Sequence, residues 1–315
     1  MTKTLGGFRA ALLAGWLALG AAGVAYARLK DIPAWLAAPL LAAFLLEYSF
    51  YLAAGFEAAR GRLARPWLLA ASMLLPYLVY TLGTGRFAWN AAALLAALAV
   101  ALSFWHVLLP RSPGADLGYL ALLAAALLTH YFDRIYPPAG RLEVDILGQL
   151  AMIHVSAIAL LEQRRAGGTG FGFLPSRAEW KSGALHFLYF LPVGLPVALA
   201  LGAFRLGPVA PAWKIAGTFL GIFWVVALSE EFFFRGLLQQ WLEQWTGSAQ
   251  AALVTASILF GAVHLGFREF PNWRFALVAA IAGWFYGRAY LKTRSIRASM
   301  VAHALVVTTW RALFV

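Results

Sequence analysis

Cysteine is absent from the 315-residue chain, so no disulfide framework, cysteine-ligated metal, iron–sulfur cluster or thiol nucleophile is possible. Acids are scarce as well. There are 13 Asp plus Glu against 25 Lys plus Arg, and charged residues make up 12% of the chain, well below the roughly 25% of an ordinary soluble domain. With 62% hydrophobic residues and a mean hydropathy of +0.75, these shortages exclude a water-soluble globular protein. The net charge of +12 falls between apolar segments and forms no basic-aromatic groove, which fits cytoplasmic loops and anionic headgroups and excludes nucleic acid as the partner. Heptads and long-period repeats are missing, as are the protease signatures HExxH, GxGD and Gly-x-Ser-Gly.

Apolar runs fill the space that these absences leave. A helix crossing the ~30 Å hydrocarbon layer needs roughly 20 apolar residues. Runs at about 8–27, 33–56, 66–82, 89–109, 117–132 and 146–161 predict six spans, and runs at 182–201, 216–241, 251–267, 275–291 and 296–314 predict five more. The fold class is therefore all-α, a polytopic transmembrane bundle of about 11 spans in the lipid bilayer. The first run is longer than the ~7–15-residue core of a signal peptide and is read as a retained span. Between the sets, charge and glycine replace apolar residues from Glu162 to Gly170, which predicts an N-terminal transmembrane domain over 1–163 and a second domain over 171–315. A short amphipathic piece ending at Trp180 is expected before the first span of the second domain. Basic clusters at Arg60/Arg62/Arg65, Arg164/Arg165 and Arg294/Arg297 place the N-terminus in the cytoplasm.

An ionisable group in hydrocarbon costs at least ~2.5–3.5 kcal/mol, so buried acids and histidines mark the places where chemistry is built. Most acids, Asp116 and Glu179 among them, read as loop or span-end residues. The exceptions are Glu47 in the second run and the pair Glu230-Glu231, which is followed by Phe232-Phe233-Phe234-Arg235. Glu231 and Arg235 stand at i and i+4 with the acid first, the favourable order, and are expected to form a structural pair. Glu230 is turned about 100° away with no partner in its own helix, which makes it the candidate general base. His264 lies in the next run, four residues after Phe260 and on the same helix face. His303 lies in the last run. One Glu and two His from three apolar helices are the material of an intramembrane site. The plainer alternative is a Glu–Glu–Arg cluster and hydrogen-bonded histidines serving packing.

These residues resemble the CPBP family of intramembrane proteases, which includes the type II CAAX prenyl endopeptidases and the Abi-like proteins. The family's EExxxR is Glu230-Glu231-Phe232-Phe233-Phe234-Arg235, its FxxxH is Phe260 to His264, and its last motif, His followed four residues later by Asn or Asp, is matched only at His303 because the fourth residue on is Val307. The resemblance implies hydrolysis of a peptide bond in a membrane-anchored protein, C-terminally sorted or lipid-modified, by a glutamic-type mechanism in a bacterial inner membrane. Glu230 with His264 would activate water, and His303 would stabilise the oxyanion, with Thr308, Thr309 or a backbone group standing in for the missing amide. Glu231, Arg235 and Phe260 would support them. No cofactor is expected, the alternative being a catalytic zinc on Glu230, His264 and His303. Loss of the last motif leaves a second reading, a catalytically weakened member acting as an immunity or scaffold protein. In the N-terminal half, Glu47, His106, His130 and His154 are expected to be satisfied by interhelical hydrogen bonds.

Overall fold

The computed structural model describes residues 4–138 and 142–314, so that residues 1–3 and Val315, the extremities of the two predicted domains, lie outside the described residues. Every predicted run is helical, and no strand occurs among the described residues. The helices are α1 (Leu5–Leu29), α2 (Ala34–Ala54), α3 (Glu57–Leu63), α4 (Pro66–Gly83), α5 (Trp89–Leu108), α6 (Pro113–Leu128), α7 (Ile146–Gln163), α8 (Arg177–Ala200), α9 (Ala212–Thr246), α10 (Ala249–Ala262), α11 (Trp273–Thr293) and α12 (Ile296–Leu313). Seven of them, α1, α2, α4, α5, α7, α8 and α9, are long and apolar enough to cross a membrane. The protein is a multi-pass integral membrane protein. Of the remaining predicted spans, α6 and α10 are apolar but have 16 and 14 residues, and α11 and α12 fall outside the set by composition.

The backbone forms two compact units, Met1–Ala166 and Gly167–Val315. In the first, α7 is the most enclosed helix. It carries His154, whose Nδ1 lies 2.7 Å from Glu47 Oε1 on α2 and whose Nε2 lies 2.9 Å from Ser72 Oγ on α4. Three helices are thus tied by one buried polar chain, which satisfies groups that lipid would leave bare. The other two histidines do not follow the expectation. His130 is exposed beside Asp133 at 3.3 Å, and His106 packs its ring on Tyr119 while its buried Nε2 finds no hydrogen-bond partner.

Two acids expected within reach of water are buried instead, each with an arginine. Asp116 takes two hydrogen bonds from Arg164, at 2.7 and 2.6 Å, and Glu179 takes two from Arg297, at 3.0 and 2.7 Å. Glu179 also closes a capping box with Ser176, so α8 starts at Arg177 and runs unbroken through Trp180 into the membrane. The expected separate amphipathic piece therefore does not exist.

In the second unit α8, α9, α10, α11 and α12 pack around one another. The Gly-rich approach is fixed to the turn between α11 and α12, with Ile296 N–H donating to Thr169 O and Ser295 Oγ to Gly170 O. Gly170 has φ +64°, and a Cβ there would stand 2.4 Å from Ser295 Cα, so only glycine fits. At the α10–α11 contact a Cβ on Gly261 would come 2.5 Å from Ala276 O, which lets the two backbones touch. Gly261→Val is expected to force them apart and destabilise the unit by about 1–3 kcal/mol, read as a lowered unfolding midpoint of the purified protein in detergent. An unchanged midpoint would show that the contact is not tight.

Candidate active site

Helix α9 is not a uniform α-helix. Two π-helical stretches, Ile222–Val226 and Phe232–Gln239, flank a short α segment, Ala227–Glu231, that carries both carboxylates. Insertions of this kind widen the helix and re-aim side chains. The 3.6-residue register assumed from sequence therefore does not hold beyond Glu231, although Glu231 and Arg235 still meet, at 3.3 Å between Arg235 Nε and Glu231 Oε2.

Both members of that pair are fully buried, and each has a second partner that the sequence did not reveal. Arg235 Nη2 donates to Gly283 O at 2.9 Å, and its guanidinium lies 4.4 Å from the Phe260 ring centroid and 5.5 Å from that of Tyr286. Gly283 makes room for this contact, because a Cβ would stand 3.0 Å from Arg235 Nη2 and 3.2 Å from Phe260 Cδ1, and the guanidinium or the ring would have to shift. Glu231 Oε1 lies 2.7 Å from His303 Nδ1. His303 stacks on Tyr286 at 4.7 Å with the rings 11° from parallel, and Ser299 Oγ donates to Tyr286 O at 2.8 Å, which holds α12 against α11.

Glu230 stands on the other side of the same imidazole, its Oε2 3.9 Å from His303 Nε2. That gap is too wide for a direct hydrogen bond and suits one bridging water. The Glu230 side chain is 30% exposed, yet its Oε2 is buried and makes no hydrogen bond. His264 reaches the region from the end of α10, its Nδ1 2.7 Å from Phe260 O and its ring 4.8 Å from the Phe260 ring. A carbonyl only accepts, so Nδ1 carries the proton and Nε2 of the neutral ring bears the lone pair. Among the described residues no hydrogen bond or ion pair joins His264 to Glu230.

His264 and His303 line one cavity of about 310 Å³, whose other walls are nearly all apolar and come from α8, α11 and α12. Val307 is part of that wall. The position where the family resemblance calls for Asn or Asp thus faces the cavity without a donor, while Thr309 lines it too and Thr308 is buried with an unpartnered Oγ1. For the zinc alternative, the Nδ1 contacts leave Nε2 of each imidazole as the nitrogen that would ligate, but among the described residues no group of three or more His, Asp or Glu side chains is arranged to hold a metal ion.

The carboxylates of Glu230 and Glu231 thus flank His303 at the edge of an apolar cavity that His264 also lines. Residues 212–309 match the family model described as type II CAAX prenyl endopeptidase Rce1-like, a stretch that contains Glu230, Glu231, Arg235, Phe260, His264 and His303, and the match supports a likeness to the CPBP-type membrane proteases. No curated protein and no solved structure matches the chain.

Removing the cation from this cluster is expected to be costly. Arg235→Met should destabilise the protein by about 3–5 kcal/mol, because Glu231 stays buried with less charge to answer it. Arg235→Lys should recover only part of this, since a single ammonium cannot serve Glu231, Gly283 O and two rings together. Thermal unfolding in detergent reads both, and a fully stable Arg235→Met protein would show that the pair is dispensable.

Proposed function

We propose that the protein is an intramembrane endopeptidase of a bacterial inner membrane that hydrolyses a peptide bond of a membrane-anchored protein with a water activated by Glu230 and His264. The observation that carries this reading is the shared cavity: two imidazoles from different helices face it, and Glu230 Oε2, which makes no hydrogen bond, lies 3.9 Å from one of them. The family match supports a membrane protease in general terms.

Charge balance suggests how the work is divided. With Glu230 and Glu231 ionised and Arg235 positive, a protonated His303 makes the cluster neutral, as a buried group of charges should be. In that form its Nδ1–H faces Glu231 and its Nε2–H faces outward, available to a developing oxyanion in a low-dielectric site. His264, protonated on Nδ1, has its Nε2 lone pair free to take a proton from water, directly or through Glu230. Water attacks the scissile carbonyl carbon. The carbonyl oxygen becomes the oxyanion beside His303, and the proton removed from water is delivered to the departing amine. No metal enters this sequence.

Cleavage of a membrane-anchored reporter in proteoliposomes tests the assignment. Glu230→Gln and His264→Ala are each expected to lower turnover at least about 100-fold with an unchanged unfolding midpoint. Full activity in either variant would remove that residue from the mechanism. A zinc chelator is expected to leave the rate untouched, and inhibition reversed by added zinc would overturn the metal-free reading.

Val307 in the cavity wall favours the second reading, a weakened member acting as a scaffold or immunity protein. Val307→Asn separates the two. Restoring an amide donor should raise turnover of an active protease about tenfold or more. A wild type that cleaves nothing while Val307→Asn cleaves the reporter would establish the scaffold reading.

A further inference from the structure

At the end away from the Glu231–His303 contact the cavity is bordered by an aromatic cluster from three segments, of which Phe204, Phe275 and Trp310 line it. Phe204 follows α8, Phe267 and Phe275 flank the turn between α10 and α11, and Trp310 lies near the end of α12, with ring centroids 4.4–6.0 Å apart. Gly207 N–H donates to Leu313 O and Ala210 N–H to Ala312 O, which fastens the first segment to the last.

The same three segments carry Arg205, Arg268, Arg274 and Arg311, all exposed. Arg205, Arg274 and Arg311 are chain neighbours of the cavity-lining Phe204, Phe275 and Trp310, and Arg268 lays its guanidinium 5.7 Å from the Trp310 ring centroid. Among the described residues none of the four forms an ion pair, and Glu269 is the one carboxylate on these segments. In the same unit Arg294 holds Glu243 by bonds of 2.6 and 2.8 Å, and Arg297 holds Glu179. Four exposed guanidinium groups on the segments that border one apolar cavity form a locally positive field that favours an anionic visitor.

We propose that this basic rim and the cavity behind it form one binding site for a peptide in which a short apolar segment is flanked by acidic residues, the segment lying in the cavity and the carboxylates on the rim. The proposal rests on the proteolytic reading of the cavity. Its volume is at the small end of ligand pockets, room for a few apolar side chains and not for a folded domain. A peptide suits it better than a lipid acyl chain, because the two imidazoles need hydrogen-bonding partners that a hydrocarbon cannot give. Guanidinium forks at the rim match carboxylates in geometry as well as charge.

The test uses the full chain in zwitterionic detergent, in the Glu230→Gln background so that binding is read without turnover. Three fluorescent peptides share one apolar segment and differ in the flank, which is Asp/Glu, Asn/Gln or Lys/Arg. The acidic peptide is expected to bind about tenfold more tightly than the neutral one, with the basic one weakest, and this preference should vanish near 0.5 M salt, as screened exposed pairs do (a rough concentration). Arg205→Gln/Arg268→Gln/Arg274→Gln should abolish the preference while leaving the neutral peptide's affinity unchanged, and the corresponding Lys variants should retain most of it. Equal affinity for all three flanks, or a preference that survives the Gln triple variant, overturns the proposal. So does a rim that changes only affinity for phosphatidylglycerol vesicles, which would make it a lipid contact. A wild type that binds with the expected preference and cleaves none of the peptides sinks the protease reading and leaves the rim standing; cleavage indifferent to the flank does the reverse.

Discussion

Glu231 has no access to water, and a carboxylate in that position has to be answered by the protein or stay neutral. It is answered twice, by Arg235 from its own helix and by His303 from α12. Arg235 in turn needs Gly283 O and the faces of Phe260 and Tyr286, so the demand passes from α9 to α10 and α11. Four helices are therefore positioned by the solvation of one ion pair. In the hydrocarbon layer helices gain little by hiding apolar surface from one another, and a shared buried charge is one of the few interactions that can specify which faces meet.

The chemistry of the cavity follows from the same contact. Glu231 orients the His303 ring by engaging Nδ1, which leaves Nε2 to face Glu230 and the cavity. The backbone carbonyl of Phe260 does the equivalent for His264. Both imidazoles are thus fixed by their first nitrogen and free at their second. The π-helical stretches on either side of the carboxylates belong to this arrangement, since they allow adjacent residues of α9 to reach opposite nitrogens of one ring.

Much of this was legible in the sequence because lipid penalises ionisable groups so heavily that the few present stand out. Eleven apolar runs foretold the helices, and the spacing of Glu231 and Arg235 foretold their pair. What was not legible depends on packing between helices. Nothing in the spacing says that His303 meets Glu231, that Tyr286 supports it, or that Asp116 and Glu179 are buried, because each needs an arginine from a distant part of the chain. The π segments were hidden for a related reason: the sequence of α9 reads as a regular apolar helix, and its widening is decided by what its side chains must reach.

The first unit shows why a buried Glu–His contact is not by itself a site. Glu47 and His154 lie 2.7 Å apart, the same distance as Glu231 and His303, and Ser72 completes what looks like a nucleophile, base and acid in a row. The difference lies at the second nitrogen. In His154 it is taken by Ser72 Oγ, whose own proton goes to Leu69 O, and none of the three side chains has more than a trace of exposed surface. Both nitrogens of His154 and the Ser72 hydroxyl are spent within the chain of contacts, and Glu47 Oε2, though without a hydrogen-bond partner, is fully buried where no substrate can reach it, so the arrangement locks α2, α4 and α7 together. In His303 the second nitrogen has no hydrogen-bond partner and borders a cavity, and Glu230 beside it keeps an oxygen unspent. Reactivity in a membrane-buried cluster of this kind is set less by which residues are present than by whether one valence at each of them is left for the substrate.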